Sequence, residues 1–377
     1  MANAFRRQCP LYPPGLADGP ADVKLQFFKD AIIEHQLFNE SIEQIGDFVK
    51  SGLKGTMVVL VGPAGVGKSS LGESACSKMN KAFFEQYPHD MHTIPAAIVE
   101  AWGPEFDRFD WYDFYELLLH VLQAPLVEAT LPEVKRVIAG RAIEIPLVSS
   151  NCAPTIRTLR QRLRRVVVDR NPSMLFVDEA SNILVAPRQE RVKRQANTLR
   201  SIVNKVQTLL VLSGAYDLFD LVLQSGQLAR RGQVVHFRAY VRSEVEAFCK
   251  ALIAMQNCMP MKKQCDLTKY ADILAEQSLL TVGHLKYILL RALKDHYKLG
   301  RPIDEEILAR AFYKPDQLEM MRADMYDGYE RIEHHRHPDD HRIKTDGPHE
   351  SSKRSGEERM RPGQRVGKTK PGRREIG

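Results

Sequence analysis

The chain has 377 residues, 44% of them hydrophobic, which is material for two to three domains and a sizeable core. Its net charge of +7 sits almost wholly in residues 351–377, where nine basic residues face three acids, so the remainder is close to neutral and no uniformly basic fold is expected. No apolar run reaches the roughly 18 residues of a membrane span, MANAFRRQCPLYPPG has no apolar leader core, and cysteines 9, 76, 152, 249, 258 and 265 form no C-x-x-C pair or zinc spacing, so a cytoplasmic protein with reduced thiols is expected.

Residues 1–21, with Pro10, Pro13, Pro14 and Pro20, read as an extended arm. Residues 22–50 repeat Val23, Leu25, Phe28, Ile32, Ile33, Leu37, Ile42, Ile45 and Val49 near a helical period, and Gly52 and Gly55 end the stretch. A strand is expected at 57–61, then a helix from Gly67 to about Met79. TIPAAIVEA (93–101) is a second strand candidate. FDWYDFYELLLHVLQAP (109–125) is an amphipathic helix stopped by Pro125, and IRTLRQRLRRVVV (156–168) is another. PSMLFVDEAS (172–181) reads as a buried strand ending in two acids. A polar helix at 187–206 precedes strands at 208–214 and 234–237. Alternating strands and helices over 22–240 predict an α/β fold with a parallel sheet covered on both faces. Helices at 243–256, 266–277, 283–297 and 303–311 predict a small helical lid over 241–313. The charged segment 314–377 is expected to be mostly disordered, because from about 330 it has almost no aliphatic residues with which to offset ordering entropy.

Two stretches carry chemistry. Gly62-Pro63-Ala64-Gly65-Val66-Gly67-Lys68-Ser69 follows an apolar run and opens a helix, the spacing of a phosphate-binding loop. Its glycines let backbone N–H groups face phosphates, and the helix N-terminus adds partial positive charge. Lys68 is expected on the β- and γ-phosphates, the Ser69 hydroxyl on Mg²⁺, and Ser70 beside them. MLFVDEAS delivers the second half: Asp178 for the Mg²⁺ shell and Glu179 as general base for the attacking water. ATP and Mg²⁺ are therefore the expected cofactors, and the expected activity is that of an ATPase. A metabolic kinase is disfavoured, since no substrate-lid motif accompanies the loop. The cluster EHHRHPDDH (333–341) has ligand-type residues but reads as a solvated charged segment.

The order of these motifs resembles the AAA+ ATPases. That resemblance implies a γ-phosphate sensor at Ser213 and an arginine finger acting on the neighbouring subunit at Arg231, with Arg230 the fallback. It implies an oligomer, and in the lid a nucleotide-facing cation for which Lys286 is the candidate. FDWYDFYELLLHVLQAP, MLFVDEASNIL, LLVLSGAYD, QLARRGQVVHFRAY and TVGHLKYILLRALKDHYKLGRPI further resemble the TnsC/TniB transposition regulators over about 30–312. This implies a bacterial, DNA-associated switch. ATP-bound subunits would form rings or filaments on double-stranded DNA, linking a TniQ/TnsD-like target-selection protein to a transposase, and hydrolysis would disassemble them. Arg157, Arg160 and Arg164 on one helix, and Lys193 and Arg194 on another, are candidate phosphate contacts to DNA. The alternatives are an AAA+ replication initiator or helicase loader, and a signalling NTPase without DNA.

Overall fold

The structure, a computed structural model, describes residues 12–52, 56–104, 108–123, 133–138, 141–146, 154–185, 198, 208–219 and 232–336. The chain divides into two compact units, Met1–Ile332 and Glu333–Gly377. Of the second, only the helical turn Glu333–Arg336 is described.

Five parallel strands form the central sheet: β1 (Met57–Val61), β2 (Ala96–Glu100), β5 (Met174–Asp178), β6 (Leu209–Gly214) and β7 (Gly232–His236). Their spatial order is β2-β5-β6-β1-β7. β1 and β5 are buried along their whole length, which is why their sequences are unbroken apolar runs rather than alternating ones. Val58 and Leu60 enter one apolar cluster, while Met57, Val59 and Val61 enter another. That alternation assigns a face to each covering element. Helices α1 (Ala21–Asp30), α2 (Gln36–Lys50) and α3 (Lys68–Gln86) share the first cluster; α4 (Trp111–Val121) and α5 (Ile156–Arg170) share the second.

Local chemistry sets the helix ends. The Asp110 side chain accepts from the N–H groups of Tyr112 and Asp113 and starts α4. Thr155 caps α5, and Asn171 ends it in the left-handed conformation. The helical stretch expected at 22–50 forms two helices, parted at 31–35. Ala31 turns extended, and buried His35 stacks on Phe237 with Nδ1 3.0 Å from the Tyr240 hydroxyl. That long-range contact outweighs helical continuity. A hairpin of β3 (Glu133–Ile138) and β4 (Arg141–Pro146), not expected from the sequence, pairs Ile138 with Arg141. The expected helix 187–206 lies outside the described residues except for Thr198, which is helical.

The lid comprises α6 (Val245–Cys258), α7 (Ala271–Gln277), α8 (Val282–Leu299) and α9 (Glu305–Ala311). Leu285, Ile288 and Leu289 of α8 belong to the same cluster as Val235 and Phe237. Arg238 and Glu244 form a paired ion bridge at 2.6 Å that ties the end of β7 to the start of the lid.

The segment 314–377 departs from expectation at its start. Pro315–Arg336 is a 22-residue helix, α10. Its first turn carries proline, whose missing N–H costs nothing there. Ile332 is buried in the cluster on the α4/α5 face, which supplies the apolar contact that composition alone did not promise.

Candidate nucleotide site

The site assembles at the C-terminal edge of the sheet, where open α/β folds hold ligands. β1 leads into the glycine loop, and α3 starts at Lys68. Gly65 and Gly67 have φ of 71° and 104°, which a side chain would resist. Gly62, Pro63 and Val66 are buried, while Ala64, Gly65 and Ser69 are exposed; Gly67, Lys68 and Ser70 are half-buried. Lys68 Nζ donates to the carbonyls of Gly62 at 2.9 Å and Pro63 at 3.0 Å. Burial pulls its pKa down, and the carboxylates of Glu179, Asp178 and Asp217 pull the other way. The lysine therefore stands among three acids.

Strand register brings the second half alongside. Leu60 lies opposite Ser213, and Val177 opposite Leu212. The Ser213 hydroxyl donates to Asp178 Oδ1 at 2.8 Å, with Ser213 fully buried and Asp178 nearly so. Ser213 is thus placed first of all to orient the carboxylate. Glu179 follows at the exposed rim in a left-handed conformation, φ 49°. This is uncommon for a non-glycine residue and typical of site geometry. Hard oxygen donors at Asp178 and Ser69 fit Mg²⁺, which takes few protein ligands and keeps waters.

Two groups went unread in the sequence. Asp217, four residues beyond Ser213 in LSGAYD, accepts from Ser181 Oγ at 2.7 Å, and Ser181 Oγ in turn accepts from the Ala215 N–H. His284 of α8 lies against the loop: a methyl on Gly65 would sit 2.9 Å from its ring. Its Nδ1 is 2.9 Å from the Tyr313 hydroxyl, and burial lowers its pKa while a backbone bond at Ala64 opposes that shift. Lys286, the lid cation expected near nucleotide, is committed elsewhere. Its Nζ donates to the carbonyls of Lys29 and Ala31, both at 2.7 Å, at the end of α1. A cavity of about 240 Å³ opens between the loop, Asp217, the start of α8 and helix α10.

Among the DNA candidates, Arg157 and Arg164 are exposed on α5 and Arg160 is half-buried. Leu159, Leu163, Val166 and Val167 form the buried side of that helix, while Ile156 is 47% exposed. Lys193, Arg194, Arg230 and Arg231 lie outside the described residues. Among the described residues no cluster of three or more His, Cys, Asp or Glu could hold a metal, and residues 337–341 of EHHRHPDDH lie outside them. No described helix is long and apolar enough to cross a membrane.

Residues 53–222 match the AAA domain family AAA_22. No curated protein matches in sequence. Among solved structures, the ORC2 protein of Aeropyrum pernix in its ADP form is 13% identical with a TM-score of 0.54, over 76% of this chain and 71% of that one. The same protein in ADPNP–ADP complexes gives 0.52 at 13% identity, over 76% and 70%. Cdc6p from Pyrobaculum aerophilum gives 0.50 at 13%, over 76% and 69%. At such identities the likeness is one of fold. The matched stretch, residues 53–222, is thus similar to the AAA domain family, and the chain has an α/β fold like that of AAA+ P-loop NTPases.

Proposed function

We propose that this protein is an ATP-hydrolysing AAA+ regulator of transposition of the TnsC/TniB kind. It assembles on target DNA, links a TniQ/TnsD-like target selector to a transposase, and disassembles on hydrolysis. The observation that carries the ATPase part is the convergence of the glycine loop, Lys68, Asp178 and Ser213 on one sheet edge, with Glu179 at the rim. The transposition part rests on the sequence resemblance.

In this reading Lys68 exchanges two backbone carbonyls for the β- and γ-phosphate oxygens. Asp178, held by Ser213, and Ser69 take the Mg²⁺ shell. Bound MgATP supplies an activated γ-phosphoryl group. Glu179 takes the proton of the attacking water. Arg231, or failing it Arg230, stabilises the developing charge from a neighbouring subunit. Arg157, Arg160, Arg164, Lys193 and Arg194 track phosphates without reading bases.

A replication initiator or helicase loader shares fold, nucleotide and DNA, and the likeness to ORC2 and Cdc6p suits it equally. Electron microscopy of the protein with duplex DNA and a nonhydrolysable ATP analogue tests the reading. Rings or filaments covering DNA only with the analogue are expected, together with recruitment of a transposase encoded beside the gene. Nucleotide binding without any assembly on DNA would overturn the assembly switch. Assembly that recruits a replicative helicase instead would select the second reading.

A further inference from the structure

Helix α10 reaches the nucleotide edge, lining one cavity with the start of the phosphate loop. Three residues seat it. Gly328 lies so close to the Tyr216 ring that a Cβ would overlap three ring carbons. The Tyr329 hydroxyl accepts from the Ala239 N–H at 3.0 Å, and its ring meets His236 edge-on at 5.2 Å. Ile332 is 2% exposed in the apolar cluster on the α4/α5 face. Tyr216, His236 and Ala239 lie in or just after β6 and β7, the two strands that flank the loop strand β1. The seat is therefore built into the walls of the nucleotide site.

Helical geometry places Asp324, Gly328 and Ile332 in one row at four-residue spacing. The row that seats the helix also carries an acid towards the loop. Asp324 and Asp327 line the same cavity as Gly62, Pro63 and Ala64. Arg331 lines it too, so the helix brings a net single negative charge. Gly62, Pro63 and Ala64 on the opposite wall open the phosphate loop, whose following helix N-terminus favours anions. The space left between them, about 240 Å³, is below the roughly 300–1,000 Å³ of ordinary ligand sites.

We propose that α10 is an acidic cover on the nucleotide cavity, seated in competition with the triphosphate. Asp324 and Asp327 oppose the phosphates while the helix is down, and binding of MgATP lifts it. Coupling of this kind is reciprocal, so whatever unseats the helix tightens nucleotide binding by the same factor. The inference rests on the nucleotide-binding reading.

The test is a titration of the full-length protein with a fluorescent nonhydrolysable ATP analogue and Mg²⁺. Wild type is compared with Gly328→Leu, with the double variant Asp324→Asn/Asp327→Asn, and with Lys68→Ala. Both cover variants are expected to bind about fivefold tighter or more, and the gain of the double variant is expected to shrink at high salt. Amides of α10 in the wild type are expected to exchange faster once the analogue is bound. If Gly328→Leu fails to fold, the isosteric double variant still decides. Binding by both variants at or below a wild-type affinity that depends on Lys68 would overturn the cover and leave the nucleotide site standing. Absence of binding by every variant would overturn the nucleotide reading and the cover together. Binding by the cover variants alone would support the cover most strongly.

Discussion

Helices α3 and α10 both meet the nucleotide edge, and they are held there by different physics. α3 follows the loop covalently and buries Leu71, Gly72, Ala75 and Cys76 against the sheet. Asn80 on the same helix pairs its side-chain amide with both backbone groups of Ala96 on the edge strand, at 2.9 and 3.0 Å. α10 is longer, yet between 315 and 333 only Gly328 and Ile332 are buried. An element with little buried apolar surface opens locally at a small fraction of the global unfolding free energy. The site thus has a fixed floor and a cover that can leave.

The largest expected effect falls on the floor. Lys68→Ala should abolish ATP binding, while Glu179→Gln should keep affinity and lose turnover by about 100-fold or more. Nucleotide titration and phosphate-release assays on both variants check this. Normal hydrolysis by Glu179→Gln would remove the general-base assignment.

Packing variants separate the two helices next. A side chain on Gly72 would collide with the Phe176 ring in the core. Gly72→Leu should therefore cost about 1–3 kcal/mol. Gly328→Leu should leave the main unfolding transition within about 0.5 kcal/mol, because the helix it displaces carries little of the core. Equal losses in calorimetry would show that α10 is as integral as α3.

Hydrogen exchange sharpens the same contrast without mutation. Amides in the middle of α3 should exchange at least about tenfold more slowly than those at 318–330 of α10. Mass spectrometry of the full chain reads both helices at once, and equal protection would contradict the contrast.

The smallest effect concerns the support under the loop. His35 stacks on Phe237, whose carbonyl packs on Gly62, and burial pushes its pKa down from 6.5 to about 4. The unfolded chain therefore binds the extra proton first as pH falls. Stability should decline from about pH 6.5 towards pH 4, by about 1 kcal/mol near pH 5.5. Denaturant unfolding across that window should lose this slope in His35→Gln. A slope unchanged by the substitution would place the titrating group elsewhere.

Several elements could be read directly from the chain because their causes are local. The strands at 57–61, 174–178 and 209–214 are buried on both faces, so their residues are continuously apolar wherever the sheet is cut. The glycine loop is legible for a similar reason: its backbone geometry excludes side chains, and the residue types record that exclusion. Asp178 and Glu179 stand where a buried strand must end. The hairpin 133–146 escaped notice because its short β-runs sit between helices and carry only a weak alternating pattern.

The sequence by itself determined the phosphate loop, the paired acids and a parallel α/β sheet, since each depends on neighbours a few residues away. Tertiary structure alone decided that Ser213 binds Asp178, that His284 rather than Lys286 meets the loop, and that α10 lies across the site. Those contacts join residues tens to hundreds of positions apart. Their partners are chosen by strand register and by the shape of what packs beside them, which no local pattern of residues encodes.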